Sequence, residues 1–301
     1  MKRVATAVVL IPIVLLLILR APAFLLALVV AVVALLGVRE LLAMSEHYGV
    51  EPLRCPTYIY VVAVFALVGT ALTAQTQMLD IGGAMLTLLV AATAAIFVFL
   101  AVGMARAALP SAYPAAATSV AALLYVAMPL ALLLVVRELW AGGFLVLYLL
   151  LVVWAGDTFA YYVGRGIGRH KLAPRISPGK TWEGACASLA GAILIGWLAL
   201  SHAPRISDAL YSAGLITRRY AYLAKQAPPL AEIIILSACI NLAAQLGDLT
   251  ESLIKRGAGI KDSGTLLPGH GGILDRIDAL LFAAPVLWYY AALRVMWQGH
   301  I

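Results

Sequence analysis

Residues 230–297 read LAEIIILSACINLAAQLGDLTESLIKRGAGIKDSGTLLPGHGGILDRIDALLFAAPVLWYYAALRVMW. Two apolar runs, 230–247 and 278–297, enclose a stretch of different character. Each run approaches the roughly 20 apolar residues that a helix needs to cross a bilayer core. Between them, residues 248–278 hold five of the fourteen acids: Asp248, Glu251, Asp262, Asp275 and Asp278. The same stretch carries Lys255, Arg256, Lys261, Arg276, His270 and six glycines. Charge and glycine concentrated between two apolar helices place chemistry at a membrane–water boundary.

The rest of the chain agrees. It is 64% hydrophobic and 12% charged, where a soluble domain carries about 25% charged residues; mean hydropathy is +1.00. Too little polar surface is available to face water on all sides. An all-α polytopic integral membrane protein follows, with about nine spans: 4–19, 22–38, 57–75, 83–105, 117–136, 143–164, 182–200, 230–247 and 278–297. Residues 1–301 are expected to form one transmembrane catalytic domain. In it, residues 1–140 supply N-terminal helices, and residues 141–301 supply the helices and loops of the active site. The start MKRVATAVVLIPIVLLLILR has signal-peptide character, but a second apolar run follows at Ala21 without a polar cleavage region. It is therefore expected to be a retained helix.

Orientation is read from the bases. With the N-terminus inside, about two thirds of the 21 Lys and Arg fall in inside segments, which favours N-in/C-out. Both charged loops, 165–181 and 248–277, then share the cytoplasmic side. The basic segment 201–229 falls outside, where it reads as an amphipathic interfacial stretch or as an ordered surface loop. The net charge of +7 is explained by this bias, so no nucleic-acid partner is expected. Cys55, Cys186 and Cys239 have no paired spacing and imply neither a disulfide framework nor a zinc site. Glu232 and Asp80 sit near outer span ends and Trp288 and Trp297 near interfaces, where local pairing and anchoring account for them.

Asp275 and Asp278 are three residues apart. On a helix starting near Asp275 they share a face, and carboxylates that close repel unless a cation sits beside them. Asp248, at the end of the preceding span, is placed to complete the set. Oxygen ligands alone point to a hard ion, Mg2+ or Mn2+, which commonly leaves positions for water and substrate phosphate. Lys255, Arg256 and Lys261 then neutralise phosphate charge, and the glycines allow close backbone approach to phosphate. His270, between Gly269 and Gly271, has the chemistry of a hydrogen-bond donor or a base. The competing reading is a solvated, salt-bridged loop in which Asp275 and Asp278 complement a helix dipole.

A second segment, Trp154 to Gly184, reads WAGDTFAYYVGRGIGRHKLAPRISPGKTWEG. An acid such as Asp157 inside a span is costly and usually functional or paired. Ser177, Lys180 and Thr181 precede a helix whose N-terminus suits an anion. The positive-inside rule alone also explains the bases here. Asn241 and Gln245 share a helix face with Asp248, by spacings of four and three, and either line the site or bond between helices.

The string from Ser252 to Asp278, S-x-x-K-R-x4-K-D-x-G-x2-L-P-G-H-G-G-x2-D-R-x-D, resembles the signature of the phosphatidate cytidylyltransferases. The order in Asp157–Gly184 is similar to a second block of that family. The resemblance implies transfer of a cytidylyl group from CTP to phosphatidic acid, giving CDP-diacylglycerol and pyrophosphate. It assigns Asp248, Asp275 and Asp278 to a divalent metal, and Lys255, Arg256, Lys261 and His270 to nucleotide phosphates. Asp262 is placed near the site, with Asp157 and Arg276 among the substrate-binding groups. Ser177, Lys180 and Thr181 are assigned to the lipid phosphate or the nucleotide. It further implies a monovalent cation such as K+, a homodimer, and residence in the inner (cytoplasmic) membrane with the site facing the cytoplasm. The alternatives are CTP-dependent activation of another lipid phosphate (the CDP-archaeol type), a polyprenol-type lipid kinase, and a transporter. Depth discriminates the last: transporters bind near the bilayer midplane, whereas these charges cluster toward helix ends.

Overall fold

A computed structural model describes residues 2–73, 77–105, 109–139, 142–216, 228–266 and 271–298. It is helical almost throughout: α1 (Lys2–Arg20), α2 (Ala23–Glu46), α3 (Arg54–Thr73), α4 (Gln77–Met104), α5 (Leu109–Ala122), α6 (Met128–Glu138), α7 (Gly142–Ile167), α8 (Trp182–Ser201), α9 (Ala203–Ser212), α10 (Leu230–Gly257) and α11 (Leu274–Gln298). A π-helical turn, Leu123–Ala127, joins α5 to α6. Pro129 follows it and lacks the N–H that would bond the carbonyl of Tyr125. Among the described residues, eight helices are long and apolar enough to cross a membrane, α5 and α6 counting as one continuous segment. Within α1, Ile11–Arg20 forms a shorter apolar stretch. The chain is thus an all-α, multi-pass membrane protein.

Several helices outrun their apolar stretch. α2 continues through Arg39 and Glu40 to Glu46, α10 reaches Gly257 and α11 begins at Leu274. Their added turns carry the charged side chains of the site. On α10 the ion pair Glu251–Lys255 at i,i+4 helps the helix continue.

Two apolar clusters organise the bundle. One joins α2 to α6 and takes in Ala258, Leu274 and Leu281. The other is built from α7, α8, α10 and α11, with Ile18 of α1. In the second, the buried Tyr148 and Ser237 hydroxyls are 2.7 Å apart, and Ser237 Oγ also bonds the Ile233 carbonyl. Such pairing removes the cost of burying hydroxyls in an apolar interior.

The expected loop between α7 and α8 contains a small antiparallel hairpin, β1 (Lys171–Ala173) against β2 (Ser177–Thr181). Pro174 and Arg175 turn the chain, and the Ile176 N–H closes the turn on the Ala173 carbonyl at 3.1 Å. In the segment 201–229, α9 is a short helix with Ala203 and Ser207 buried and Arg205 and Asp208 exposed. Its charged residues lie outward. Arg218, Arg219 and Lys225 lie outside the described residues.

Candidate active site

The two charged segments meet. Lys180 of β2 reaches Asp248 of α10, Nζ to Oδ2 at 2.6 Å. Arg256, at the end of α10, donates from Nε to the Ile176 carbonyl of the hairpin at 3.3 Å. Both loops therefore lie on one side of the bundle.

A cavity of about 830 Å³ opens between α7, the hairpin, α8 and α10. Asp157, Ser177, Lys180, Thr181, Gln245 and Asp248 contribute to its wall, as do Arg165 and Lys171. Its floor is a hydrogen-bonded polar ladder. Asn241 Nδ2 donates to Ser188 Oγ at 2.9 Å, and Gln245 Nε2 donates to Asn241 Oδ1 at 2.7 Å and to the Ala185 carbonyl at 3.3 Å. Both readings of Asn241 and Gln245 hold together: they tie α10 to α8, and Gln245 also lines the cavity. Thr181 is 4% exposed and its hydroxyl caps α8 by accepting the Gly184 N–H. The anion position expected at this helix start is thus partly filled by its own cap.

α10 presents Asn241, Gln245, Asp248, Glu251 and Lys255 at spacings of three and four, so they follow one face. Opposite stands the first turn of α11. Gly247 permits the approach: a Cβ there would lie 2.4 Å from the Asp278 carbonyl oxygen. Asp278 is thereby brought against α10 at Gly247, the residue before Asp248. Its Oδ1 accepts the Ala279 N–H at 2.8 Å.

Asp275 is engaged differently, although it shares that first turn. Its Oδ1 takes Lys255 Nζ at 2.6 Å, and its Oδ2 accepts the N–H groups of Ser263 and Gly272 at 2.9 and 2.8 Å. Lys255 also bonds Glu251 Oε2 at 2.5 Å. Lys255 therefore bridges two carboxylates in the interior. Lys261 and Asp262 are exposed, and neither forms an ion pair among the described residues. Arg256 and Arg276 are exposed as well. His270 lies outside the described residues.

The donor set is compatible with a hard cation. Asp157, Asp248, Glu251, Asp275 and Asp278 outnumber Lys180 and Lys255. Two buried oxygens, Glu251 Oε1 and Tyr125 Oη, have no hydrogen-bond partner among the described residues. Among the described residues, no three carboxylate, histidine or cysteine side chains close into a cage around an ion. An ion held by one or two carboxylates, and completed by water and substrate oxygens, needs no cage.

Sequence reasoning assigned no role to Glu251, Tyr125, Ser263 or Glu40. Glu251 is four residues before Lys255, a pairing that helix periodicity exposes. Tyr125 is brought in by the π-helical turn, a feature often found at functional sites. Glu40 accepts hydrogen bonds from Ser263, Ile273 and Leu274, more than 220 residues away.

Among bacterial relatives, the chain is 42% identical over 149 residues to the phosphatidate cytidylyltransferase of Haemophilus influenzae, a match covering 50% of this chain and 46% of that protein. It is 39% identical over 149 residues to the Bacillus subtilis phosphatidate cytidylyltransferase, covering 49% and 47%. It is 39% identical over 155 residues to the one from Pseudomonas aeruginosa, covering 51% and 49%. The chain thus spans about half the length of the curated relatives it matches. The sequence model of the cytidylyltransferase family extends much further, over residues 1–294. That match takes in nearly the whole sequence, and the chain belongs to the cytidylyltransferase family.

Proposed function

We propose that the protein transfers a cytidylyl group from CTP to phosphatidic acid, releasing pyrophosphate and forming CDP-diacylglycerol. One observation carries the reading: Asp157, Lys180 and Asp248, from three different elements, share one cavity wall beside Asp278. Such a site has positive groups for phosphates and carboxylates for a cation. The relatives' names supply the substrates.

The reaction is an in-line displacement. An oxygen of the phosphatidate phosphomonoester attacks the α-phosphorus of CTP. The bond between that phosphorus and the bridging oxygen to the β-phosphorus breaks, and pyrophosphate leaves with the electron pair. The lipid phosphate is already ionised, so no covalent enzyme intermediate is needed. Catalysis is then positioning and charge neutralisation. Asp248, Asp275 and Asp278 are the residues that would hold Mg2+ or Mn2+. Such an ion, when bound, would supply neutralisation of phosphate charge. Lys180, Lys255, Arg256, Lys261 and His270 are assigned to phosphate oxygens. Asp157, Ser177, Thr181 and Arg276 are assigned to holding substrate, and Asp262 is placed beside the site. A monovalent cation such as K+ belongs to the same reading, and the surplus of carboxylates supports it. So do a homodimer and residence in the inner membrane with the cavity toward the cytoplasm. Arg165, Lys171 and Lys180 around the cavity support that side by the positive-inside rule.

The depth of the site favours this reading over transport. Asp275 and Asp278 lie in the first two turns of α11, and Asp248 and Glu251 in the last ten residues of α10, next to the loop that joins these helices, where a water-soluble nucleotide has access. The test is pyrophosphate release by purified protein in detergent with phosphatidic acid and Mg2+, comparing CTP with ATP. Lipid-dependent release selective for CTP, lost in Asp275→Asn and Asp278→Asn, is expected. Absence of release with CTP removes phosphatidate cytidylylation and leaves another lipid phosphate or transport.

A further inference from the structure

The N-terminus of α11 should be open to an anion, because its first N–H groups have no partner within the helix. It is already filled from the far end of the sequence. Glu40, on α2 and 9% exposed, inserts its carboxylate there. Oε1 accepts the Ile273 N–H at 2.9 Å, and Oε2 accepts the Leu274 N–H at 2.8 Å and the Ser263 hydroxyl at 2.9 Å. The phosphate-binding role expected of this glycine-rich segment is therefore displaced from the helix start toward the neighbouring lysines.

The surroundings are shaped to this carboxylate. A Cβ at Gly264 would lie 2.7 Å from Glu40 Oε1, and one at Gly272 would lie 2.3 Å from Oε2. One turn earlier on α2, a Cβ at Gly37 would lie 2.9 Å from Val126 Cγ1, so α2 sits close against the π-helical turn. Just beyond α2, the Tyr48 hydroxyl donates to the Ile254 carbonyl of α10 at 2.7 Å. The α2 region thus grips both the exit of α10 and the entry of α11. Ser263 links the grip to the reacting end: its hydroxyl bonds Glu40 while its N–H bonds Asp275, which meets Lys255.

We propose that Glu40 is a positioning residue of the active site, fixing the backbone at Ser263 and Ile273–Leu274 so that Asp275 meets Lys255. The proposal rests on the cytidylyl-transfer reading for its effect on turnover. Its structural half does not depend on that reading. A plain helix cap would serve from a neighbouring residue. Here the acceptor comes from a helix that contributes no other group to the site.

The substitution Glu40→Gln keeps the shape and turns one acceptor oxygen into a donor facing an N–H or O–H. Two measurements decide. The first is hydrogen exchange at the Ile273 and Leu274 amides in detergent. The second is the steady-state kinetics of CTP-dependent pyrophosphate release, normalised to folded protein well below the unfolding temperature. Exchange at these amides should rise at least about tenfold. The turnover number should fall about tenfold to a hundredfold, with KM for CTP changed less than about threefold, as expected when reacting groups are misplaced rather than lost. Ser263→Ala should show the same pattern more weakly and be non-additive with Glu40→Gln. Glu46→Gln, on the same helix in an exposed pair with Arg54, should leave both readings unchanged. Unchanged exchange in Glu40→Gln overturns the proposal, and so does raised exchange with undiminished turnover, which would leave Glu40 as a cap alone. Wild-type protein inactive with CTP and phosphatidate would instead overturn the reaction reading, and the exchange measurement would still decide whether Glu40 holds this backbone.

Discussion

Replacing Lys255 with methionine isolates the interaction that joins α10 to α11. The lysine lies between Glu251 and Asp275, whose side chains are 1% and 8% exposed, and is itself 12% exposed. The substitution keeps much of the side-chain volume and leaves two buried carboxylates with no cation between them. Removing one partner of a buried ion pair costs about 3–5 kcal/mol. Asp275 retains two N–H donors, whereas Glu251 has no backbone N–H donor among the described residues and already holds one oxygen without a partner there. Most of the cost should therefore fall on Glu251. At about 2–4 °C per kcal/mol for a chain of this order of size, unfolding in detergent should drop by roughly 10 °C. Adding Glu251→Gln removes the charge that lost most, so the double variant should recover a large part of the loss. The assay is thermal unfolding of both variants beside Lys171→Met, an exposed lysine of the hairpin. A Lys255→Met midpoint matching the Lys171→Met control, or a double variant no more stable than the single, would refute the reasoning.

Other expectations concern neighbouring contacts. Gly247→Ala places a methyl group 2.4 Å from the Asp278 carbonyl oxygen. It should cost about 1–3 kcal/mol and displace Asp278 from Asp248, read as a lower unfolding midpoint with loss of turnover. Lys180→Met frees Asp248 and removes one of the cavity's cations, so pyrophosphate release should fall while the protein stays folded by circular dichroism. Tyr148→Phe removes one buried hydroxyl pair far from the cavity, while Ser237 keeps its bond to Ile233. It should cost about 0.5–1.5 kcal/mol and leave turnover unchanged in the same assay.

The helices were legible because the bilayer imposes one simple rule, and runs such as 83–105 and 143–164 obey it. The helix ends were not, since α2, α10 and α11 extend through charged turns whose support comes from distant partners. Asp248 and Asp157 could be picked from the sequence because charges in apolar surroundings demand explanation, and Lys180 because it precedes a helix start. That they share one cavity wall followed only from the fold. Nothing in the spacing of Pro174–Arg175 announced strands, as the two strands are short and pair only with each other. Glu40 was invisible for a different reason. It lies just past the apolar run of α2 and reads as one half of an Arg-Glu pair at a membrane edge. Its partners are 223 and more residues away, a distance that no helical period encodes. Glu251 stood within the charged stretch, but its burial at 1% exposure depends on α11 closing over it.

The claim that the converged carboxylates and lysines carry out cytidylyl transfer is tested most directly by following the α-phosphorus of CTP. Purified protein is incubated with CTP labelled at that phosphorus, phosphatidic acid and Mg2+, and the lipid extract is counted. Label should appear in a lipid that migrates as CDP-diacylglycerol, should disappear with Asp248→Asn or Asp278→Asn, and should not appear when the label is in the γ-phosphate. Label remaining in the aqueous phase with folded wild-type protein, or entering lipid from the γ-phosphate, would contradict the account.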